Sequence, residues 1–378
     1  MKIAVIGAGI NGLSSAWGIA RDGHEVSVFE QGPIPNPLGS SYDQNRLIRF
    51  PYGANLGYTR LVAAAYDAWD RLWTDLGETF YVRTGTLAIA RDETSWTDQS
   101  AQTLAQAGVE ARRLSPADIE RIFPMLRTEG IRYALYLESG GELFPTRIIE
   151  ALARHLRARG VRIFENTPVK SIDVERARAV LHDGSVVDAD ALVVAAGPWV
   201  ARLLPEMATR VTPSRQVLAY AEPPPQYAEH WKHGPMLMDL DGAGFYLVPP
   251  AGGTDLKVGD HRFSLTGQPD ADREPSPAET QAVFEQARRA LRDFDQYRIK
   301  ATRTCFYTVE SGERFLVEQQ GRSWLVSACS GHGFKFGALN GLAVADGVAG
   351  RRSADAIAST SAGESPGLTS PGRHSEIA

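Results

Sequence analysis

Apolar and polar positions set out a strand, turn, helix, strand order at the start of the chain. Residues 2–6 are an apolar run, residues 10–21 an Ala-rich helical run, and residues 25–29 a second apolar run. Residues 31–41 carry three prolines and two glycines, so they form a loop. Leu61, Ala65, Ala68, Trp69, Leu72, Trp73 and Leu76 then recur at helical spacing. Residues 85–90 predict a strand, and residues 92–127 are polar and helix-prone, with Pro116 near a helix start. Ile148, Ile149, Leu152 and Leu156 share one face of a helix over 146–159. Strands over 161–164 and 168–172 follow, then a hairpin around His182 to Ser185. Residues 191–196 are all apolar, as in a strand buried on both faces of a parallel sheet.

From 211 to about 308 the pattern changes to strands and loops, at 216–221, 244–248 and 256–258, interrupted by a helix over 277–292. The α/β rhythm then returns with strands at 315–318 and 324–327, a glycine-rich turn and a helix over 337–350. Beyond it, Ser, Gly, Pro and charged residues without periodicity predict a disordered tail. The fold class is α/β, with a Rossmann-like domain interrupted by an inserted α+β domain built on a mixed sheet.

Composition narrows this little. With 378 residues, 43% hydrophobic and 22% charged, the chain is long enough for roughly two or three units of an ordinary soluble type. A net charge of −5 does not suggest nucleic acid as a partner. No apolar stretch is long enough to span a bilayer, and the N-terminus reads as the first strand, not a signal peptide. Two cysteines, Cys305 and Cys329, make no disulfide framework, so a cytoplasmic location is expected. No metal site is expected.

The first chemistry lies in Gly7-Ala8-Gly9-Ile10-Asn11-Gly12, which joins the first strand to the first helix. In such a G-x-G-x-x-G turn, Gly7 allows the tight bend, Gly9 lets backbone approach a pyrophosphate, and Gly12 lets helix and strand pack closely. The helix N-terminus offers free N–H groups to the phosphates. Glu30, at the end of the second strand, stands where a carboxylate takes ribose hydroxyls. An acid there favours FAD or NAD over a phosphorylated dinucleotide.

Several motifs together resemble the flavin amine oxidases of the monomeric sarcosine oxidase and N-methyltryptophan oxidase type. They are G-A-G-I-N-G-L-S-S-A-W, R-L-I-R-F-P-Y-G, D-L-K-V-G-D-H, T-C-F-Y-T and, most specific, Ser330-Gly331-His332-Gly333-Phe334-Lys335-Phe336. The resemblance spans residues 1 to about 350. It implies an FAD-binding domain from 1–84, 141–212 and 314–352, a substrate domain from 85–140 and 213–313, and a tail over 353–378. It implies cofactor contacts at Gly7, Gly9, Ile10, Asn11, Gly12, Glu30, Gln31, Ser40, Ser41, Val169, Gly197 and Trp199. Cys305, Gly331, Gly333, Phe334 and Lys335 complete that set.

By the same resemblance, Cys305 carries FAD through a thioether; the alternative is a buried core thiol. Arg46 approaches the flavin. Lys257 lies against the ring, where its charge stabilises superoxide forming from oxygen, and His261 faces the substrate. The alternatives are a solvated strand lysine and a structural histidine. Arg49 and Lys335 grip the substrate carboxylate, the first as a planar fork and the second as a point charge. Tyr52, Tyr246 and Tyr307 wall the pocket, or belong to the core. Ser41 and Tyr42 stand where histidines are usual in the family, and Asp43-Gln44 where Gly-Asp is usual, so the substrate is left open.

The implied activity is oxidation of a secondary or primary amino acid, with hydride passing to flavin N5 and oxygen becoming hydrogen peroxide. The expected partners are a small amino acid and oxygen, and the expected state is a monomer or weak homodimer. Two rival readings remain: a dehydrogenase that hands electrons to another carrier, and a non-catalytic dinucleotide-binding sensor.

Overall fold

The computed structural model describes residues 1–241 and 244–364. Its first sheet runs in the order Leu316–Gln320, Ser323–Ser327, Ala191–Val194, Lys2–Ile6, Glu25–Phe29, Arg162–Phe164. All neighbours are parallel except the first pair. The two central strands are the most apolar because helices and loops cover both their faces; Val5 aligns with Val28 on one side and Val193 on the other. Helices Ile10–Arg21, Pro145–Ala158 and Gly337–Val348 cover one face. An antiparallel ribbon of Val169–Asp173, Arg178–Leu181 and Val186–Asp188 lies toward the other.

The second sheet has eight strands, in the order Arg298–Glu310, Val211–Glu222, Leu256–Asp260, Phe245–Val248, Met236–Asp239, Thr86–Ala90, Tyr133–Leu137, Arg112–Leu114. Met236–Asp239 and Thr86–Ala90 run parallel while the other pairs are antiparallel, so the sheet is mixed. It has a core of its own, around Trp231, Phe245 and Leu247. A small sheet, Arg46–Ile48, Gly141–Leu143 and Tyr81–Arg83, pairs Leu47 with Glu142 and Glu142 with Val82.

Three readings of the sequence change. The polar stretch 92–127 divides into helices Trp96–Gln106 and Pro116–Ile122 around a short strand. Each helix starts at a capping box, Ser95 with Asp98 and Ser115 with Asp118. The helix expected over 277–292 is Pro277–Glu285, followed by a tighter turn. The reading of 353–378 as a disordered tail is overturned in its first part, because Ala354–Ser361 is a helix. The Ser353 side chain accepts from the Ala356 N–H, and Ile357 is fully buried in the main core. One buried apolar residue and a cap suffice here, and neither produces a periodic pattern. The rest of that tail lies outside the described residues. No helix among the described residues is long and apolar enough to cross a membrane.

Candidate active site

The turn after the first strand holds Gly7 at φ +100°, a conformation that favours glycine, and a Cβ there would lie 2.4 Å from the Ala195 carbonyl oxygen. A Cβ on Gly12 would lie 1.9 Å from the Gly7 carbonyl oxygen, so Gly12 sits inside the strand–helix contact and does not line the cavity. Gly9 is the N-cap of the helix, whose first turn carries no acidic residue. Ser41 Oγ accepts from the Ile10 N–H at 3.0 Å, bringing the 31–41 loop against the turn. Glu30 is buried and already oriented: it accepts from the Ala8 N–H at 2.7 Å, the Gly32 N–H at 3.1 Å and Asn36 Nδ2 at 2.8 Å.

From this turn one continuous cavity of about 330 Å³ runs between the two large sheets. Its near end is walled by Gly7, Gly9, Ile10, Asn11, Glu30, Gln31 and Val169. Ser40, Ser41, Gly197, Trp199 and Arg46 line its middle reach. Arg49, Tyr246, Lys257, His261 and Tyr307 come from the second-sheet side and the small sheet, facing Gly331, Gly333, Phe334 and Lys335. The structure therefore brings nearly the whole expected set to one cavity. Besides Gly12, two of its members stand outside the lining. Tyr52 stands behind Lys335, and its ring touches that of His332. Cys305 is buried at 1% exposure, with Arg46 Nη2 3.5 Å from its Sγ, whereas Cys329 does line the cavity.

A profile of the family described as FAD dependent oxidoreductase matches residues 2–347. The chain belongs to this family. It is 24% identical over 351 residues to the monomeric sarcosine oxidase of Bacillus sp. (strain B-0618), with 88% of each chain covered. It is 26% identical over 342 residues to the N-methyl-L-tryptophan oxidase of Yersinia pestis (strain Pestoides F), covering 88% of this chain and 91% of the relative. Among solved structures, L-proline dehydrogenase from P. horikoshii shares the fold at a TM-score of 0.81 and 19% identity, over 93% and 94% of the two chains. Glycine oxidase from Bacillus cereus ATCC 14579 does so at 0.78 and 19%, over 94% and 97%.

The residues of this oxidoreductase fit the family's FAD. The glycine turn leaves no room for a Cβ at Gly7 or Gly12, the first residues of the helix, Ile10 and Asn11, line the cavity, and the buried Asn11 Oδ1 has no hydrogen-bond partner within the chain.

At the far end the electrostatics are one-sided. Arg49 is 8% exposed and Lys335 is 4% exposed, and neither has an acidic partner among the described residues. The Arg49 guanidinium donates to the Pro51 carbonyl and lies 4.6 Å from the Tyr52 ring centre and 5.5 Å from that of Trp96. Burial, with Arg49 close by, pushes the Lys335 ammonium well below its ordinary range. Lys335 Nζ donates to Tyr52 Oη at 2.9 Å and to the His332 carbonyl at 2.8 Å. His332 Nε2 lies 3.0 Å from the Glu313 carbonyl, which can only accept, so Nδ1 is the ring's acceptor for the Tyr52 hydroxyl at 3.1 Å. The Lys335 carbonyl accepts from Trp69 Nε1 at 2.7 Å, which pins this turn to the helix Leu56–Leu76.

Lys257 is in a different setting. Its Nζ is 2.7 Å from Asp43 Oδ2 and 3.2 Å from the Asn45 carbonyl. Asp43 also pairs with Arg46 and accepts from the Tyr220 hydroxyl. Burial and then the neighbouring Arg46 pull the Lys257 ammonium down, and Cys305 and Glu142 oppose that pull. The His261 imidazole opens onto the cavity yet is crowded there, and burial followed by Arg49 lowers it to about 4. Burial also raises the Tyr246 and Tyr307 phenols, which therefore stay protonated. Glu142, Asp43 as a charge hub and the Trp69 anchor escape sequence reasoning. Each acts through a contact hundreds of residues or several strands away, and only the Asp43 departure from the family pattern hinted at one of them.

Proposed function

We propose that this chain oxidises the C–N bond of an amino acid, secondary (N-methyl or cyclic) or primary, and passes the electrons to oxygen, giving an imine and hydrogen peroxide. One observation carries the reading. Arg49 and Lys335 are buried cations in the cavity with no acidic partner among the described residues, and an anion must balance them. A substrate carboxylate does so, gripped by the Arg49 fork and the Lys335 point charge.

The FAD that the glycine turn and Glu30 hold supplies a two-electron acceptor. With the carboxylate seated, the amine lies toward His261, Tyr246 and Tyr307. Protonated phenols donate to the amine lone pair, which an ammonium lacks, so they favour the unprotonated amine, and the neutral imidazole accepts its N–H. Positioning and charge carry the reaction, and no protein nucleophile is required. Lys257 supplies the positive charge toward which oxygen reduction is drawn. Cys305, with Arg46 donating to its sulfur, is the proposed point of covalent attachment. Acid-precipitated wild-type protein should retain the yellow colour and C305A should release it; release from the wild type would mean no tether, and retention in C305A would place the tether elsewhere.

A second reading, a dehydrogenase handing electrons to another carrier, is favoured by the Asp43–Lys257 ion pair, which offsets the charge that oxygen would use. A panel of N-methyl, cyclic and primary amino acids separates the two. Peroxide formed in step with substrate loss supports the oxidase, dye reduction without oxygen uptake supports the dehydrogenase, and an unbleached flavin with every amino acid overturns both.

A further inference from the structure

Lys257 has a second carboxyl group near it. Glu142 is the middle residue of the strand Gly141–Leu143 and is fully buried. Lys257, Asn45 and Thr254 surround its side chain. Both Glu142 oxygens, and both polar atoms of the Asn45 side-chain amide, are buried without a well-formed hydrogen bond, although Asn45 and Thr254 stand close enough to the carboxyl to pull it down. Buried polar atoms are nearly always satisfied, so these neighbouring groups mark a place prepared for a proton or a water. The Asn45 backbone carbonyl, which accepts from Lys257 Nζ at 3.2 Å, links the two ends of the cluster. Lys257 is the charged group that acts on Glu142 directly, and Lys257 is joined in turn to Asp43, which also pairs with Arg46.

We propose that Glu142 is a neutral acid that restores the proton of Lys257 whenever oxygen reduction draws one from it. The inference rests on the reading of Lys257 as the cation that faces oxygen. Oxygen leaves as hydrogen peroxide after taking two electrons from the reduced cofactor and two protons. One hydrogen is the one the substrate carbon gave up with those electrons. For the other, an N–H bond of Lys257 breaks, and the O–H bond of Glu142 breaks to remake the ammonium. The substrate's ammonium sheds one proton to water in each cycle, and Glu142 regains one from water, so the count closes. Burial holds the Glu142 carboxyl up to about 8, against the pull of Lys257 and of the Asn45 and Thr254 side chains, which keeps it protonated through the neutral range.

The test uses the flavin-loaded protein with E142Q, and with E142L as a second variant that leaves no polar atom to satisfy. The unfolding midpoint is read against pH first. An unfolded chain ionises its glutamates near about 4.3, while Glu142 stays protonated to about 8, so wild-type stability should fall as pH rises between the two. Both variants should lose that component. In stopped flow, mixing photoreduced protein with oxygen should give a reoxidation rate that drops above about pH 8 in the wild type. In E142Q it should be ~10-fold slower and flat with pH, a modest share of what a placed acid supplies. Reduction by substrate should not change. An unaltered stability slope, an unaltered reoxidation rate, or equal slowing of both half-reactions would overturn the inference. If K257M slows reoxidation and E142Q does not, the proton store alone is wrong; if K257M does not slow it, the role of Lys257 falls as well.

Discussion

At the scale of single residues, the chain keeps two buried cations without an acidic partner among the described residues in one small volume, a costly arrangement unless an anion arrives. R49K replaces a two-bond grip with a point charge and should raise the dissociation constant of a non-oxidisable carboxylate inhibitor by ~10-fold, read by flavin absorbance. No change would move the anion site away from Arg49. Lys335 adds a pH signature. Its ammonium is depressed by burial and by Arg49, so it is charged at low pH and loses its proton as pH rises through the depressed value. Inhibitor affinity should therefore weaken as pH rises, and K335M should abolish that slope while binding more weakly throughout. Arg49, Lys335 and Lys257 were legible in the sequence because each sits in a short, ordered motif. Glu142 was not, since nothing in Gly141-Glu142-Leu143 marks a glutamate whose neighbour lies on a strand more than a hundred residues away. Tyr52 was read as a pocket wall; its ring turns behind Lys335, a choice made by the aromatic cluster with Tyr58, His332 and Phe336.

At the scale of elements, close approach of backbones decides the FAD end. The helices Ile10–Arg21 and Gly337–Val348 touch through glycines: a Cβ on Gly341 would lie 2.3 Å from the Ser14 carbonyl, and one on Gly18 would lie 2.7 Å from the Gly341 carbonyl. G341A must force these helices apart and should destabilise by about 1–3 kcal/mol, seen as a lower thermal midpoint. An unchanged midpoint would mean that the pair tolerates the shift. The terminal helix tests the corrected tail in the same way. I357A removes a fully buried side chain and should cost about 2–5 kcal/mol, which an unstructured tail would not register. The long amphipathic helices and the apolar parallel strands were legible because burial on one face or both imposes a period on the sequence. The short capped helices were missed or blurred because an N-terminal serine cap and a single buried apolar residue, Leu104, Ile119 or Ile357, set no period.

At the scale of the whole molecule, the cavity belongs to neither large sheet alone, and a ligand filling it braces one against the other. C305A protein stripped of flavin should therefore gain stability on adding FAD. Saturation at ~100 times the dissociation constant corresponds to about 2.7 kcal/mol, so a midpoint unmoved by FAD would contradict the cradle. The sequence by itself determined the strand–turn–helix cradle, the central parallel strands and the acid at Glu30, because these depend on local spacing and on glycine where no Cβ fits. Tertiary structure alone decided that Asp43, Arg46, Lys257 and Tyr220 share one buried network, and that Arg49 and Lys335 meet across the cavity. The physical reason is that local pattern records how each residue is buried along its own element. The electrostatic setting of a side chain is the sum over charges brought in from other elements, and only the packing of the two sheets specifies which charges those are.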